Sequence, residues 1–406
     1  MTSPVDTQVK WFTSNGANAP VLTGLAGSLI ALLSAVLVDG YDSKTLTSLI
    51  AAGGVMTATY GGVHSALPDA VVLVAGVTGG PTGFAGANGE QKVTAKPSST
   101  QLQWATALPD GTYTGTITMK MAPLGWARPF AGTNTAAYKS TVVSGTGCYL
   151  RVDDSIGAYA RVTGYESMTS VDAGVNPFPS VAQMPIGGAW GKSVLASAGA
   201  VPWTIIGDGQ TFYIWTANYV PSNATYTTGW VRGFGDAIPL KPGGDPFACF
   251  LNYSVNTTLT SLGDGTLDPH GDTAVAQSAL ARSNRGLVGS ALHFNMPYIG
   301  VSQGMSGADG TLSTFPNVID GRLRLSKKFF GTTNGAAPPR ADLPGLYHCP
   351  QTTVMLTFAH ETKTVADASL GGRTMLAVTP GSSSLANVPA INTAGALFFD
   401  CTGPWR

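Results

Sequence analysis

Charge is what this chain lacks most. Of its 406 residues only 22 are Lys or Arg and 22 Asp or Glu, 11% in all, where an average soluble protein has about 25%. A compact chain of this mass exposes roughly 15,000 Å², so each charge would serve roughly 340 Å² even if every one were on the surface. Such a surface is either covered by neutral small polar side chains or hidden against other subunits. The two signs cancel and the sequence pI is 6.9. That balance excludes a nucleic-acid binder working by phosphate neutralisation and a polybasic membrane anchor. Glu is rarest, with only Glu90, Glu166 and Glu361. Cysteine is sparse too: Cys148, Cys249, Cys349 and Cys401 lie too far apart for a CxxC or any other zinc spacing. They read as buried thiols, with a Cys349–Cys401 bridge as the alternative. Long hydrophobic runs are missing. The one stretch resembling a membrane span, LAGSLIALLSAVLV at 25–38, has 14 residues, short of the ~20 a spanning helix needs. It also begins too late and lacks the basic flank of a signal peptide, so synthesis and folding in the cytosol are expected.

Glycine and proline are plentiful, at 52 and 26 residues, and Thr, Ser, Ala and Val fill much of the rest. This composition predicts many short strands joined by turns. The expected fold is mainly β (α+β) and multi-domain, with short N-terminal helices, a small inserted β-sandwich or barrel and a larger C-terminal β-sandwich region. Residues 1–52 read as an arm and helices. The first ten residues are a polar tip. Leu25, Leu29, Leu32, Leu33 and Val36 recur at three- and four-residue steps, which predicts a buried helix stopped by Asp39-Gly40, with Gly40 as a left-handed cap. A second short helix is expected over 43–51. Residues 53–121 form the small β unit, with strands at 55–60, 70–77, 91–96, 100–106 and 112–121. The last shows strict alternation of Thr112, Thr114, Thr116, Thr118 and Lys120 with Tyr113, Gly115, Ile117 and Met119. Residues 122–406 form the larger β region, with a loop-rich zone at 255–285 where it could divide. Hairpins are expected across Ser155-Ile156-Gly157 and across Asp208-Gly209, the latter as a type I′ turn. Further strands are placed at 228–234, 247–254, 289–299, 321–330, 352–358, 373–378 and 395–401.

Few motifs carry chemistry. Gly300-Val301-Ser302-Gln303-Gly304 matches the serine-hydrolase G-x-S-x-G, but a loop follows where that motif needs a helix. Gly191-Lys192-Ser193 ends like a P-loop, yet the required first glycine is Ile186. Asp264, Asp268, His270 and Asp272 in GDGTLDPHGD could hold Ca²⁺, although their spacing is not that of an EF-hand and solvated loop charges explain them. Glu166 is the carboxylate to check for glycoside hydrolysis. Asp153-Asp154 reads as a turn determinant. No catalytic residue, metal ligand or cofactor is assigned.

Three stretches carry a family resemblance. The first is Lys10-Trp11-Phe12-Thr13-Ser14 with Ala19-Pro20-Val21-Leu22-Thr23-Gly24 and Val38-Asp39-Gly40-Tyr41. The second is Gly125-Trp126 with Ala137-Tyr138-Lys139-Ser140, Tyr149-Leu150-Arg151-Val152-Asp153-Asp154 and Ala160-Arg161-Val162-Thr163-Gly164-Tyr165-Glu166. The third is Leu343-Pro344-Gly345-Leu346-Tyr347 with the closing Thr402-Gly403-Pro404-Trp405-Arg406. Together they resemble a family of uncharacterised virion structural proteins of tailed bacteriophages. The resemblance covers most of the chain, more weakly across 255–340. It implies a virion component of tail, baseplate or neck, made in the host bacterial cytoplasm and partnered by copies of itself and other virion proteins. It implies no activity. Trp11, Trp126, Tyr138, Arg151, Trp405 and Arg406 are the candidate interface or docking anchors, ordinary core packing being the plainer reading of each. A receptor-binding spike, fibre or capsid decoration protein contacting the host surface is the alternative function, and a virion-associated glycan hydrolase a second.

Overall fold

The computed structural model describes residues 5–219, 228–243, 248–255, 267, 278–281, 291–298, 312–331, 339–365, 370–379 and 395–406. Strands hold 51% of the described residues and helices 7%, so the protein is mainly β, with several sheets in a multi-domain, sandwich-like arrangement. Every pairing between named strands is antiparallel, as short connections and half-buried alternating strands favour.

A seven-stranded sheet runs in the order Gly89–Lys92, Val71–Gly79, Gly111–Met121, Tyr41–Ala52, Val55–Tyr60, Gln101–Ala105, Ala95–Ser98. The alternation over 112–121 is realised here. Tyr113, Ile117, Met119 and Met121 are buried, while Thr112, Thr114 and Thr116 face outward. A six-stranded sheet runs Ala173–Phe178, Tyr159–Ser170, Tyr149–Asp153, Thr135–Ser140, Trp126–Gly132, with Gly188–Gly191 pairing the start of Tyr159–Ser170. The third sheet has 13 strands. It begins with Lys10–Thr13 against Trp203–Gly207, continues through Thr211–Tyr219 and Thr228–Asp236, and ends Ala341–Cys349, Ala396–Asp400, Thr374–Val378, Lys363–Val365.

The segment 28–39 sits where the three sheets meet. Leu29, Leu32, Leu33, Val36 and Leu37 are fully buried. They share one core with Leu49, Trp104 and Met119 of the seven-stranded sheet, Tyr138, Leu150 and Val162 of the six-stranded sheet, and Ile205, Phe212 and Ile214 of the largest. The other side is open, with Leu25 and Ala31 exposed and Ile30, Ala35 and Val38 half-buried, so the run that resembled a membrane span is a helix with one wide buried apolar face. No helix among the described residues is long and apolar enough to cross a membrane.

Several expectations need correction. The helix expected over 43–51 is the strand Tyr41–Ala52, central in its sheet and paired on both sides. The first helix covers only Ser28–Ser34 and continues as a π-turn, Ala35–Asp39. Gly40, which follows, has φ 69° but ψ 169°, a positive-φ conformation essentially reserved for glycine but not the left-handed helical cap. The opening residues are not a loose tip throughout, because Val9 is buried and Lys10 begins a strand. The expected strand at 352–358 is one helical turn, Val354–Thr357. The Asp208-Gly209 turn is not type I′. Gly209 and Gln210 both lack positive φ, and the Asp208 carboxylate instead accepts the amides of Gln210 and Thr211 at 2.8 and 2.7 Å. All four cysteines are free and buried, so Cys349 and Cys401 do not bridge.

Candidate functional site

The six anchors named from the sequence lie in five places, only Trp405 and Arg406 falling together. Trp126 is buried and donates its indole N–H to the Asp208 carbonyl at 3.1 Å, edge-on to Phe212. Tyr138 is buried against the central helix, its hydroxyl donating to the Ile30 carbonyl at 3.1 Å and lying 2.9 Å from Ser34 Oγ. Arg151 reaches across its sheet to the Val171 carbonyl at 2.7 Å and Asp172 at 2.8 Å. Trp11 is buried under the Lys363 ammonium, which sits 4.1 Å above its ring in a cation–π contact.

Trp405 and Arg406 form a C-terminal clasp. Trp405 lies on Gly345, donates its indole N–H to the Asp400 carbonyl at 2.9 Å and packs against Tyr213. Arg406 donates to Thr211 Oγ1 at 2.8 Å and the Asp236 carbonyl at 3.1 Å, with Asp208 3.5 Å away. The backbone just before it is held as tightly. The Asp400 carboxylate accepts the Thr402 amide at 2.8 Å and pairs with Arg373. The Lys92 ammonium, buried in the seven-stranded sheet, donates to the Cys401 carbonyl at 2.5 Å. The chain end thus ties the small sheet to the large one.

Beside the clasp opens a cleft of about 350 Å³, with Lys327, Asp342, Tyr347, Arg373, Asp400 and Trp405 in its wall. Its charges are matched within the wall. Tyr298 donates to Asp342 at 2.6 Å, Lys327 lies 4.0 Å from Asp342, and Arg373 holds Asp400. Burial, then the Asp342 carboxylate, raises the Tyr298 hydroxyl well above its usual range. Such a lining suits a neutral, hydroxyl-rich group that can insert into existing pairs. Among the described residues no three His, Cys, Asp or Glu side chains are grouped to hold a metal ion.

A second polar cluster escaped the sequence reading. The Glu361 carboxylate accepts from Thr13 Oγ1 at 2.9 Å, Asn15 Nδ2 at 2.8 Å and Thr204 Oγ1. With its one proton given to Glu361, the Thr204 hydroxyl accepts from His360 Nε2 at 3.0 Å. That fixes the His360 tautomer and leaves Nδ1 buried with no partner. The ring stacks on Trp215 at 3.7 Å, and burial holds its pKa down to about 3. A histidine so hard to protonate is no general base near neutrality. The cluster instead fastens the N-terminal segment to the last third of the chain. Glu361 sits at φ 63°, a strained setting for a non-glycine residue. Scarcity of Glu was the one sequence signal pointing at it.

The remaining motifs resolve in part. Lys192, in the Gly191-Lys192-Ser193 sequence, is wholly buried and paired with Asp154, which also accepts the Leu29 amide at 2.7 Å. Asp154 is therefore a buried partner rather than a turn residue, whereas Asp153 does accept from Ser155. Glu166 accepts from Asn176 at 2.8 Å across neighbouring strands. Ser302 and the aspartates and histidine of GDGTLDPHGD lie outside the described residues. No protein-family model matches the chain, and no curated protein matches it.

Proposed function

We propose that this chain is a structural subunit of a tailed-bacteriophage virion, associated with tail, baseplate or neck, that assembles through charge-poor surfaces. One observation carries the reading. At least ten of its 44 charged residues are buried, and among the described residues Val143, Val318 and Ile319 stand 89% exposed or more. Permanent interfaces are depleted in charge and resemble cut-open cores, and a surface this poor in charge fits copies meeting copies and other virion proteins. The phage assignment itself rests on the sequence resemblance. Mass spectrometry of purified particles from a phage encoding the chain tests it: recovery at many copies per particle supports the reading, and absence overturns it. The cleft beside Trp405 favours a second reading, a receptor-binding role towards a host glycan. Binding of the purified chain to host envelope polysaccharide, lost in Arg373→Ala, supports that role; no binding removes it.

A further inference from the structure

One face of the C-terminal third carries an apolar projection and an apolar recess side by side. The projection is the turn at 317–324. Asn317 Oδ1 accepts the amides of Ile319 and Asp320 at 2.9 and 3.0 Å. Asp320 in turn accepts the Arg322 amide at 3.0 Å and pairs with the Arg324 guanidinium at 2.5 Å. With the backbone fixed in this way, Val318 and Ile319 are held 95% and 89% exposed. Exposed aliphatic residues are ordinary when scattered. Two neighbours on a turn already ordered are different, because little conformational freedom is left to lose when they are covered.

The recess begins on both sides of that turn. It is a groove of about 220 Å³ walled by Phe315, Leu323, Leu325, Phe358, Val365 and Leu370, with Arg322 at its rim. Val365 and nearby Leu356 add 68% and 53% exposed aliphatic surface. Lys363–Val365 is the last strand of its sheet, so the groove lies along a sheet edge.

A patch that holds projection and recess together is complementary to itself after a half-turn, the geometry of an isologous contact. Charge agrees. The Asp320 side chain, paired with Arg324 of its own turn, stays 30% exposed, and the Arg322 guanidinium at the groove makes no ion pair among the described residues. A half-turn brings Asp320 of each copy toward Arg322 of the other. We propose that the 317–324 turn of one copy seats in the groove of a second copy, and the reverse, about a two-fold axis. The proposal deepens the assembly reading and rests on it.

Sedimentation equilibrium on the full chain tests the contact. At about 50 µM, where an interface of standard size is populated, the expected mass is that of two copies. Ile319→Asp and Arg322→Glu each weaken the pair about 30-fold or more, the weight of a central anchor. Val143→Asp, which alters an exposed aliphatic residue elsewhere, leaves it unchanged, and circular dichroism confirms that each variant is folded. A monomeric wild-type chain overturns the proposal, as does a dimer or larger species that Ile319→Asp leaves intact. Neither result bears on particle membership, which the particle mass spectrum decides alone.

Discussion

Buried charge is used here for positioning. Lys192 and Asp154 are both fully buried, and Asp154 also caps the Leu29 and Ile30 amides while Lys192 holds the Leu25 carbonyl at 2.8 Å. Removing one member strands the other in the core. Lys192→Ala is expected to cost about 3–5 kcal/mol in urea unfolding. Adding Asp154→Leu recovers only part of that loss, because the two helix amides then have no acceptor. His64 and His360 make a second prediction. Burial lowers His64 to about 4, outweighing the attraction of Asp42 at 4.0 Å, and lowers His360 to about 3. Each is neutral when folded, while in the unfolded chain each takes up a proton near pH 6.5. Their contribution is therefore complete above pH 6.5 and is lost as pH falls toward 4 and 3. For His64 the loss is about 3 kcal/mol. A His64→Asn variant should show a shallower decline in unfolding free energy between pH 7 and pH 4; an unchanged slope would contradict the assignment. None of these partnerships was legible in the sequence, since Lys192 finds Asp154 38 residues away and His360 lies 156 residues from Thr204.

At the scale of elements, alternation was the dependable signal. The strands at 55–60, 101–105 and 111–121 and the hairpins around 155–157 and 208–210 follow from it. The misread elements have separate causes. Residues 41–52 place Leu46, Leu49 and Ile50 at helical spacing, yet Thr45, Thr47 and Ser48 suit a strand, and two flanking strands decided the outcome. The strand Ala341–Cys349 was passed over because Pro344 and Gly345 interrupt it. Its pairing with Ser326–Gly331 shifts register around those residues, and its pairing with Ala396–Asp400 begins only at Leu346. Gly345 has φ 65°, and a Cβ there would come within 2.1 Å of the Trp405 ring. Gly345→Ala should therefore cost about 1–2 kcal/mol for the backbone alone and more as Trp405 is displaced. A fall in unfolding midpoint with a red-shifted tryptophan emission is the expected result, and unchanged emission would argue against the clasp.

For the whole molecule, the two ends of the chain close the structure. Lys10–Thr13 is the outermost strand of the 13-stranded sheet, Lys10 pairs with Glu90 of the seven-stranded sheet at 2.6 Å, and Arg406 returns to Thr211 and Asp236. Deleting 402–406 removes Trp405 from the core and the Arg406 contacts to Thr211 and Asp236, so the truncated chain should unfold at lower urea or fail to accumulate in soluble form; normal stability would contradict the closure. The scarcity of charge noted at the outset is sharper in the folded chain, where buried ion pairs consume part of the small supply and branched aliphatic side chains stand in solvent. The central claim, that this surface is made to be covered in a virion, is tested most directly by the copy number of the chain in purified particles. Many copies per particle, in fixed ratio to the other tail, baseplate or neck proteins, is the predicted result. Particles that lack the chain would contradict it.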